Sequence, residues 1–477
     1  MTEILRFWIG WWDPGVALRT GLDLTLNRFL TIEDHILHLD GTNLFEVAQR
    51  FGTPLFVFSR SHIEHNVNQL KQAFETTWQH GPFRLMPSFK ACPMLAIRQL
   101  LNQFDCGCDV FGMSELEGAI RGGVDPTQIS VNGSIKDEHI IRRSITIGAR
   151  LVLDSPRELE ITERIAHELG RRARVMIRVK PDLGSLNATS DFAPEFQISE
   201  LTHRIKYGVP RSEVAEMLPA LKSSNGILLE GVHVHMGRHS KRLEVWQAWV
   251  AATFQEIDKL CEALPGWQPQ TLNLGGGFAS ESDADLDVTY NGDPTPLPLE
   301  LAQTICQAIS SAITARPWQD APLLLEIEPG RSIHTDAGLH LTTVQNIKHE
   351  TDGPLISWAE VDTSEVFLDL HGVPEAPPFE CRMVTQADSQ ATARYDVVGK
   401  TCNAEMLLLD AALPPLKGGD VLALLNTGAY IESMTTNFNA LPRPGSVLVT
   451  KGNAQLIKRH ETIDEVFARD LDLTNPD

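Results

Sequence analysis

Lys90 closes a mostly apolar run and is the first residue whose type suggests chemistry. The run extends from Arg84 to Phe89, and Pro93 then opens a helical stretch. Because an unpaired ammonium is costly in a core, a lysine at the inner end of a buried strand needs a reason. A desolvated lysine loses its proton more easily and can form a Schiff base with an aldehyde cofactor. The alternative is a snorkelling lysine at a strand end, which this stretch alone favours.

Other polar residues and glycines follow the ends of further apolar runs. Parallel strands that close into a barrel bring such positions together at the carboxyl-terminal rim, where barrel enzymes carry their chemistry. In chain order the positions are Lys90, Asp109, Asn132, Arg178, His235, Gly275-Gly276-Gly277 and Glu328-Pro329-Gly330-Arg331. Packing alone would not place these residue types there.

The last two of these positions suggest a phosphate site. Three consecutive glycines at 275–277 let backbone amides approach an anion closely, and Arg331 is a plausible phosphate clamp. Glu328, if it faces the barrel mouth, could hold a proton on a heterocyclic nitrogen. The alternatives are a flexible glycine turn and a surface ion pair.

Histidines and cysteines do not indicate a metal site. His233 and His235 share one face of a strand, but no acidic residue with matching spacing accompanies them. His235 fits better as a flat ring stacked on a cofactor, whereas His233 is favoured as a core histidine. The seven cysteines are scattered and form no Cys-x-x-Cys pair, so neither a zinc site nor a disulfide framework is predicted.

Two motifs nearer the C-terminus also stand out. Lys400-Thr401-Cys402-Asn403 places a cysteine between polar residues, where it is either a buried small residue or a proton donor. Tyr430, which follows Gly428-Ala429, could bond a phosphate or be an ordinary aromatic residue. Taken singly, both motifs favour the purely structural interpretation.

Short apolar strands that alternate with amphipathic helices must position these residues. About eight such units predict a closed (β/α)₈ barrel over residues 49–335. An open doubly wound sheet is the alternative, weakened because no Gly-x-Gly-x-x-Gly turn follows an early strand. Short strand-like runs predict a second, mostly β domain at 336–477. Residues 1–48 are expected to be an arm plus the strand at 36–39, which joins that domain.

Composition restricts the partners. The formal net charge of -21 disfavours nucleic acid and anionic membrane surfaces, because both need basic patches. No signal peptide is recognised, and the apolar stretch from Leu5 to Trp12 is too short to span a bilayer. Scattered cysteines are typical of reduced thiols, so we expect a cytoplasmic enzyme.

Taken together and in this order, the motifs resemble the pyridoxal-phosphate amino-acid decarboxylases of the diaminopimelate and ornithine decarboxylase group. These enzymes share an alanine-racemase-like barrel, and the resemblance runs from about Ile36 to Arg469. Its anchors include Gly52-Thr53-Pro54-Leu55-Phe56-Val57, Phe89-Lys90-Ala91, Cys108-Asp109-Val110, Lys206-Tyr207-Gly208-Val209, His233-Val234-His235-Met236-Gly237, the three glycines, Glu328-Pro329-Gly330-Arg331, Cys402 and Gly428-Ala429-Tyr430.

The resemblance implies pyridoxal 5'-phosphate as the cofactor and a small-molecule amino acid as the substrate. It implies that Lys90 forms the Schiff base and that Cys402 reaches the active site of the partner subunit in a homodimer, where it protonates the product carbanion. Glu328 would pair with the pyridine nitrogen, which favours a decarboxylase, since racemases on this fold usually place an arginine there. The other implied cofactor contacts are Asp109, His235, Gly275, Gly276, Gly277, Gly330, Arg331 and Tyr430.

Several positions depart from the family near the expected substrate site. The arginine of an Arg-Pro-x-Leu-Tyr motif is missing from residues 361–371, and Asn403 replaces the usual acidic residue after Cys402. We therefore expect a diamino acid or derivative similar to ornithine or lysine, and not diaminopimelate itself. The residues expected to contact it are Asp369, Asn403, Glu405, Phe438 and Arg178.

Two other functions are open at this point. A racemase or another α-carbon enzyme on the same barrel would differ by releasing no carbon dioxide. A non-catalytic cofactor-binding or regulatory homologue is the alternative of another class. Such proteins tend to lose the lysine, the cysteine or the β domain, and all three are present here.

Overall fold

The computed structural model describes residues 27–184, 186, 197–237, 241–280, 295–353, 355–368 and 379–471. They divide into two compact units, one extending from Glu64 to Ile333 and the other formed by the residues on either side. Within these described ranges, no helix is long and apolar enough to cross a membrane.

The unit between Glu64 and Ile333 contains an eight-stranded parallel sheet. A parallel bridge between Ser88 and Asp109 joins its two edge segments, so the sheet is nearly closed. The predicted (β/α)₈ barrel is confirmed. In spatial order the strands are Phe83–Leu85, Leu324–Ile327, Thr271–Asn273, Ile227–His233, Ala173–Arg178, Arg150–Leu153, Ile129–Val131 and Cys108–Val110.

Helices alternate with the strands, and local signals set where they begin and end. The helix Pro156–Leu169 shows this most fully: the Ser155 side chain accepts a hydrogen bond from the Glu158 amide, and Gly170 ends the helix in a left-handed conformation. The helices are Arg60–Thr77, Leu95–Asn102, Met113–Arg121, Glu138–Ile147, Pro156–Leu169, Ile198–Arg204, Arg211–Ser223, Leu243–Ala263, Pro298–Thr314 and Arg331–His334.

The segment around Lys90 differs from the expected strand at 84–89. The strand covers only Phe83–Leu85, and Phe89–Ala91 forms a single 3₁₀ turn. Pro87 cannot donate to a strand ladder, while the Ser88 amide donates instead to the Pro329 carbonyl at 3.0 Å. Lys90 therefore lies beyond the strand, on a turn at the barrel rim.

The second unit is mostly β, as expected. Its three-stranded antiparallel sheet consists of Leu30–Glu33, Ile36–Leu39 and Thr42–Asn43, and the helix Leu44–Phe51 follows. Nine further strands form a second sheet: Leu55–Ser59, Gly338–Glu350, Ile356–Val361, Cys381–Met383, Ala393–Val398, Met406–Leu413, Val421–Leu424, Gly445–Thr450 and Asn453–Lys458. The short helix Ile463–Val466 and the 3₁₀ turns Thr335–Ala337, Glu365–Phe367, Glu432–Met434 and Phe438–Ala440 complete it.

The N-terminal segment contributes more to this β unit than expected. Leu37 and Leu39 share an apolar core with Val384 and Val447. The strand Leu55–Ser59 pairs with Gly338–Glu350 and Gly445–Thr450, whereas the boundary expected at 48/49 assigned it to the barrel. A fully buried apolar run fits either sheet, because its sequence does not specify its neighbours.

Candidate active site

The strand ends of the barrel bring six polar side chains to one rim, next to the turn that carries Lys90. All six are buried, and each lies in the last position of its strand or within two residues of it. They are Asp109, Asn132, Arg178, His233, Asn273 and Glu328.

Lys90 is held by a buried carboxylate. Its Nζ donates to Asp109 Oδ2 at 3.0 Å and to the Ser88 hydroxyl. Ser88 Oγ in turn donates to Asp109 Oδ2 at 2.5 Å. The Lys90 side chain is 41% exposed, against 4% for Asp109. The amine is thus accessible at the barrel mouth, while its hydrogen bonds to Asp109 and Ser88 fix its position.

Glu328, like Asp109, is held by three side chains at the rim. Its Oε1 accepts hydrogen bonds from Asn132 Nδ2 at 2.7 Å and Asn273 Nδ2 at 2.8 Å, and its Oε2 lies 3.1 Å from His233 Nε2. Burial raises the pKa of Glu328, and the amide donors and the charges of Lys90 and Arg178 oppose that rise. A buried carboxylate beside a ligand nitrogen favours the protonated form of that nitrogen through its negative charge.

Both rim histidines favour the neutral form of the imidazole. Burial is the main cause that lowers the pKa of His233 and of His235 well below the usual value. The Gly237 amide donates to His235 Nδ1 at 3.1 Å, which leaves the ring proton on Nε2. His233, interpreted from sequence as a core residue, is buried and also contacts Glu328.

The three glycines form a turn that admits no side chain. A Cβ at Gly275 would lie 2.5 Å from the Val234 oxygen, and one at Gly277 would lie 2.6 Å from the Gly237 oxygen. Both glycines also have positive φ, +69° and +100°. Within the described residues no acceptor takes the amides of Gly276 and Gly277, so these amides are suited to an anion. Arg331 begins a helix three residues beyond Glu328.

Arg178 brings a buried cation to the same rim. Its guanidinium lies 4.7 Å from the centre of the Tyr207 ring, and burial lowers its pKa while the charges of Asp154 and Glu328 oppose this. Among the described residues the guanidinium has no hydrogen-bond acceptor. Its donors therefore suit an acceptor group on a bound ligand.

The β unit carries the cysteine motif. Cys402 is exposed, and its Sγ donates to Asn439 Oδ1 at 3.3 Å. Asn403 Nδ2 donates to Glu365 Oε1 at 2.8 Å. Phe438, beside Asn439, is exposed. Tyr430 lies in this unit with a φ of +66°, and Asp369 lies outside the described residues.

Glu405, expected from the sequence to contact the substrate, has buried partners in this unit. It is buried, and its Oε1 accepts hydrogen bonds from Ser364 Oγ at 2.7 Å and from Thr401 Oγ1. A Cβ at Gly399 would fall 1.6 Å from Glu405 Oε2, so the carboxylate packs directly on that backbone. Glu405 thereby holds the turn that presents Cys402, instead of facing solvent.

The comparisons with known proteins agree with this arrangement. The family model for the pyridoxal-dependent decarboxylase, pyridoxal binding domain, matches residues 60–335. The chain is 30% identical over 436 residues to diaminopimelate decarboxylase of Pseudomonas aeruginosa, covering 91% of this chain and 97% of the relative. It is 28% identical over 452 residues to the Methanocaldococcus jannaschii enzyme of that name, covering 93% and 97%. The chain therefore belongs to the pyridoxal-dependent decarboxylases.

Solved structures agree with this assignment. The crystal structure of diaminopimelate decarboxylase from M. jannaschii in complex with L-lysine has a TM-score of 0.81 and 26% identity, covering 94% of this chain and 99% of that one. A lysine/ornithine decarboxylase complexed with putrescine from Vibrio vulnificus has a TM-score of 0.66 at 19% identity, covers 86% and 98%, and shows the fold alone. The protein is a carboxy-lyase that depends on pyridoxal phosphate and acts on an amino acid.

The rim fits this cofactor by its own geometry. The glycine turn leaves two amides for a phosphate, Lys90 offers an accessible amine, and Glu328 offers a buried acceptor. Sequence reasoning placed the glycine turn and Glu328 correctly after strands, whereas Lys90 reaches the same rim from a 3₁₀ turn beyond its strand. Sequence reasoning gave no orienting role to the residues that bond to this set, which are Ser88, Asn132, Asn273 and His233. Two of them are asparagines at strand ends, and asparagine is an unusual residue in a core.

Proposed function

We propose that the protein removes the α-carboxylate of a diamino acid, with diaminopimelate as the first candidate. The observation that carries the proposal is Glu328, a buried carboxylate bonded by Asn132, Asn273 and His233 at the barrel rim. The expectation that diaminopimelate is excluded receives no support from the relatives, which bear that name at 26–30% identity. The missing arginine at residues 361–371 is outweighed by this similarity over nine-tenths of the chain.

The rim residues have different roles in the reaction. When bound, pyridoxal phosphate supplies the electron sink for the carbanion that loss of carbon dioxide leaves. Glu328 holds a proton at the ring nitrogen through its negative charge, which the hydrogen bonds from Asn132 and Asn273 stabilise. Lys90 supplies the amine, and its bond to Asp109 sets the direction from which that amine approaches.

The remaining residues bind and orient. The amides of Gly276 and Gly277, with Arg331, hold the phosphate. His235 offers a flat ring that carries no charge at neutral pH, since burial lowers its pKa. Arg178 donates to an oxygen of the bound ligand, because it has no acceptor of its own among the described residues.

Cys402 returns a proton to the product in a homodimer with shared active sites. The thiol is exposed, and Glu405 fixes its turn through Thr401 and Ser364. Asn403 and Phe438, which are exposed on the same unit, lie beside the distal end of the substrate.

The test is carbon dioxide release from meso-diaminopimelate, lysine and ornithine, each in D and L forms where these exist. Lys90→Ala should abolish release, and Lys259→Ala, a surface lysine paired with Glu256, should not. If the wild-type protein binds the cofactor through Lys90 and exchanges the α-proton without releasing carbon dioxide, the protein is a racemase and the proposal fails.

A further inference from the structure

Asn132 connects two carboxylates that serve different ends of the rim. Its single Nδ2 lies 2.7 Å from Asp109 Oδ1 and 2.7 Å from Glu328 Oε1. An amide nitrogen carries two hydrogens, so each carboxylate receives one of them. Asp109 binds Lys90 through its other oxygen, and Glu328 binds His233 through its other oxygen.

The orientation of this amide is determined by its surroundings. Ser130 Oγ donates to Asn132 Oδ1 at 3.2 Å, on the side away from the carboxylates. A flipped amide would place its oxygen against two carboxylate oxygens, which repel it. Asn132 is also only 4% exposed, so water does not substitute for its donors.

The two carboxylates need such a bridge because both are buried. Asp109 and Glu328 are each 3% exposed, and like charges close together in a medium of low polarity disfavour each other. Of the influences that hold the pKa of Glu328 down against burial, the Asn132 hydrogen bond is the largest. An aspartate at position 132 has the same shape but lacks both donors.

We propose that Asn132 is a positioning residue that sets Asp109 and Glu328 together, so that one side chain fixes both the lysine end and the ring-nitrogen end of the site. This inference rests on the proposed function, because it needs pyridoxal phosphate to lie between those ends. It assigns to Asn132 a role in cofactor affinity and in turnover, and none in substrate affinity.

The test compares Asn132→Asp and Asn132→Ala with Asn346→Asp. Asn346 also donates to a carboxylate, Glu360 Oε2 at 2.8 Å, but on an exposed surface. Both Asn132 variants should lower kcat by about tenfold or more and raise the dissociation constant of pyridoxal phosphate about tenfold, since a hydrogen bond to a buried charge contributes that much. KM should stay within about twofold, and the control should match the wild type.

A second variant separates positioning from folding. In the double variant Asn132→Asp with Glu328→Gln, the amide and the carboxylate exchange places, so the hydrogen bond is restored in the reverse sense. The melting temperature of the apoprotein should recover part of what Asn132→Asp loses, because Asp109 still faces a carboxylate at position 132, while kcat stays low.

Three results would overturn the inference. One is unchanged kcat and cofactor affinity in both single variants. Another is a loss confined to the melting temperature. The third is a double variant that recovers kcat together with its stability. A wild-type protein that takes up no pyridoxal phosphate would instead refute the proposed function, and this inference with it.

Discussion

Lys90 Nζ and Asp109 Oδ2 lie 3.0 Å apart, and the Ser88 hydroxyl bonds to both groups. The acid comes from a barrel strand and the lysine from a 3₁₀ turn that follows another strand. The pair therefore depends on closure of the sheet, which the bridge between Ser88 and Asp109 provides. A local stretch of sequence could not have formed this contact alone.

The first prediction concerns Asp109→Asn. The substitution keeps the shape but removes the charge that balances the Lys90 ammonium, so we expect the dissociation constant of pyridoxal phosphate to rise about tenfold. Absorbance titration of the apoprotein measures it. Asp258→Asn, which weakens only the partly exposed pair with Arg316, is the control. Equal affinities in the two variants would contradict the role given to Asp109.

The second prediction concerns Glu328→Gln. An amide cannot keep a proton on a ring nitrogen as a carboxylate does, so kcat should fall by about a hundredfold or more. Cofactor uptake should persist, because Lys90 and the glycine turn are untouched. Steady-state kinetics with the best substrate measure kcat, and absorbance measures the cofactor content. Wild-type kcat in this variant would remove the main argument for a decarboxylase.

The third prediction concerns Gly276→Ala. The added Cβ would lie 2.7 Å from the Glu328 carbonyl oxygen and 3.2 Å from His235 Nε2. Since backbone atoms cannot move aside, the turn must shift, and phosphate affinity should drop by about tenfold or more. The drop in phosphate affinity is measured in two ways, by inhibition with inorganic phosphate and by titration with the cofactor. Gly353→Ala, with nothing within 4 Å of its Cβ, should leave both measurements unchanged.

The fourth prediction tests the shared site. Lys90→Ala and Cys402→Ala should each be nearly inactive alone. In co-expressed, randomly paired subunits, half of the dimers are mixed and each carries one intact site, so about one quarter of wild-type activity should return. A mixture as inactive as its components would show that Lys90 and Cys402 do not act across subunits.

The fifth prediction concerns acid stability. His340 is fully buried, and burial lowers its pKa from 6.5 to about 3. Below pH 6.5 His340 binds a proton in the unfolded chain but not in the folded chain. The free energy of unfolding therefore falls as the pH drops. At pH 4.5 this one group removes about 3 kcal/mol.

His340→Gln keeps a partner for the Thr363 hydroxyl, which lies 2.8 Å from His340 Nε2, but cannot titrate. Denaturant unfolding at pH 7.5 and 4.5 should show a smaller loss for this variant than for the wild type. His233 and His235 titrate in both proteins and cancel in the difference. Identical losses would show that His340 takes up its proton without unfolding.

The sequence predicts the chemistry of the barrel rim well, because parallel strands direct their carboxyl ends to one place. Lys90, Asp109 and Glu328 could be assigned to that place from strand order alone. Their contacts could not, since the bonds from Asn132 and Asn273 depend on the register of strands far apart in the chain. The orienting role of His233 was missed for the same reason.

Other differences arose where the local pattern is ambiguous. Leu55–Ser59 is apolar at four of its five positions and carries no signal for the sheet it joins. Glu405 was expected near the substrate because the family normally has an acidic residue after the cysteine, and Glu405 is the nearest one after Cys402. The hydroxyls of Ser364 and Thr401 allow its burial instead, and neither is adjacent to it in the sequence.

The turn at Gly275 to Gly277 is made of main-chain atoms, and main-chain groups stay the same when side chains change. Even a methyl group at these positions clashes with backbone atoms and distorts the turn. Single substitutions therefore cannot change the phosphate end of the site in small steps. Asn403 and Phe438 are exposed and can be exchanged singly. A lineage carrying this chain can therefore acquire new substrates step by step while its cofactor chemistry stays constant.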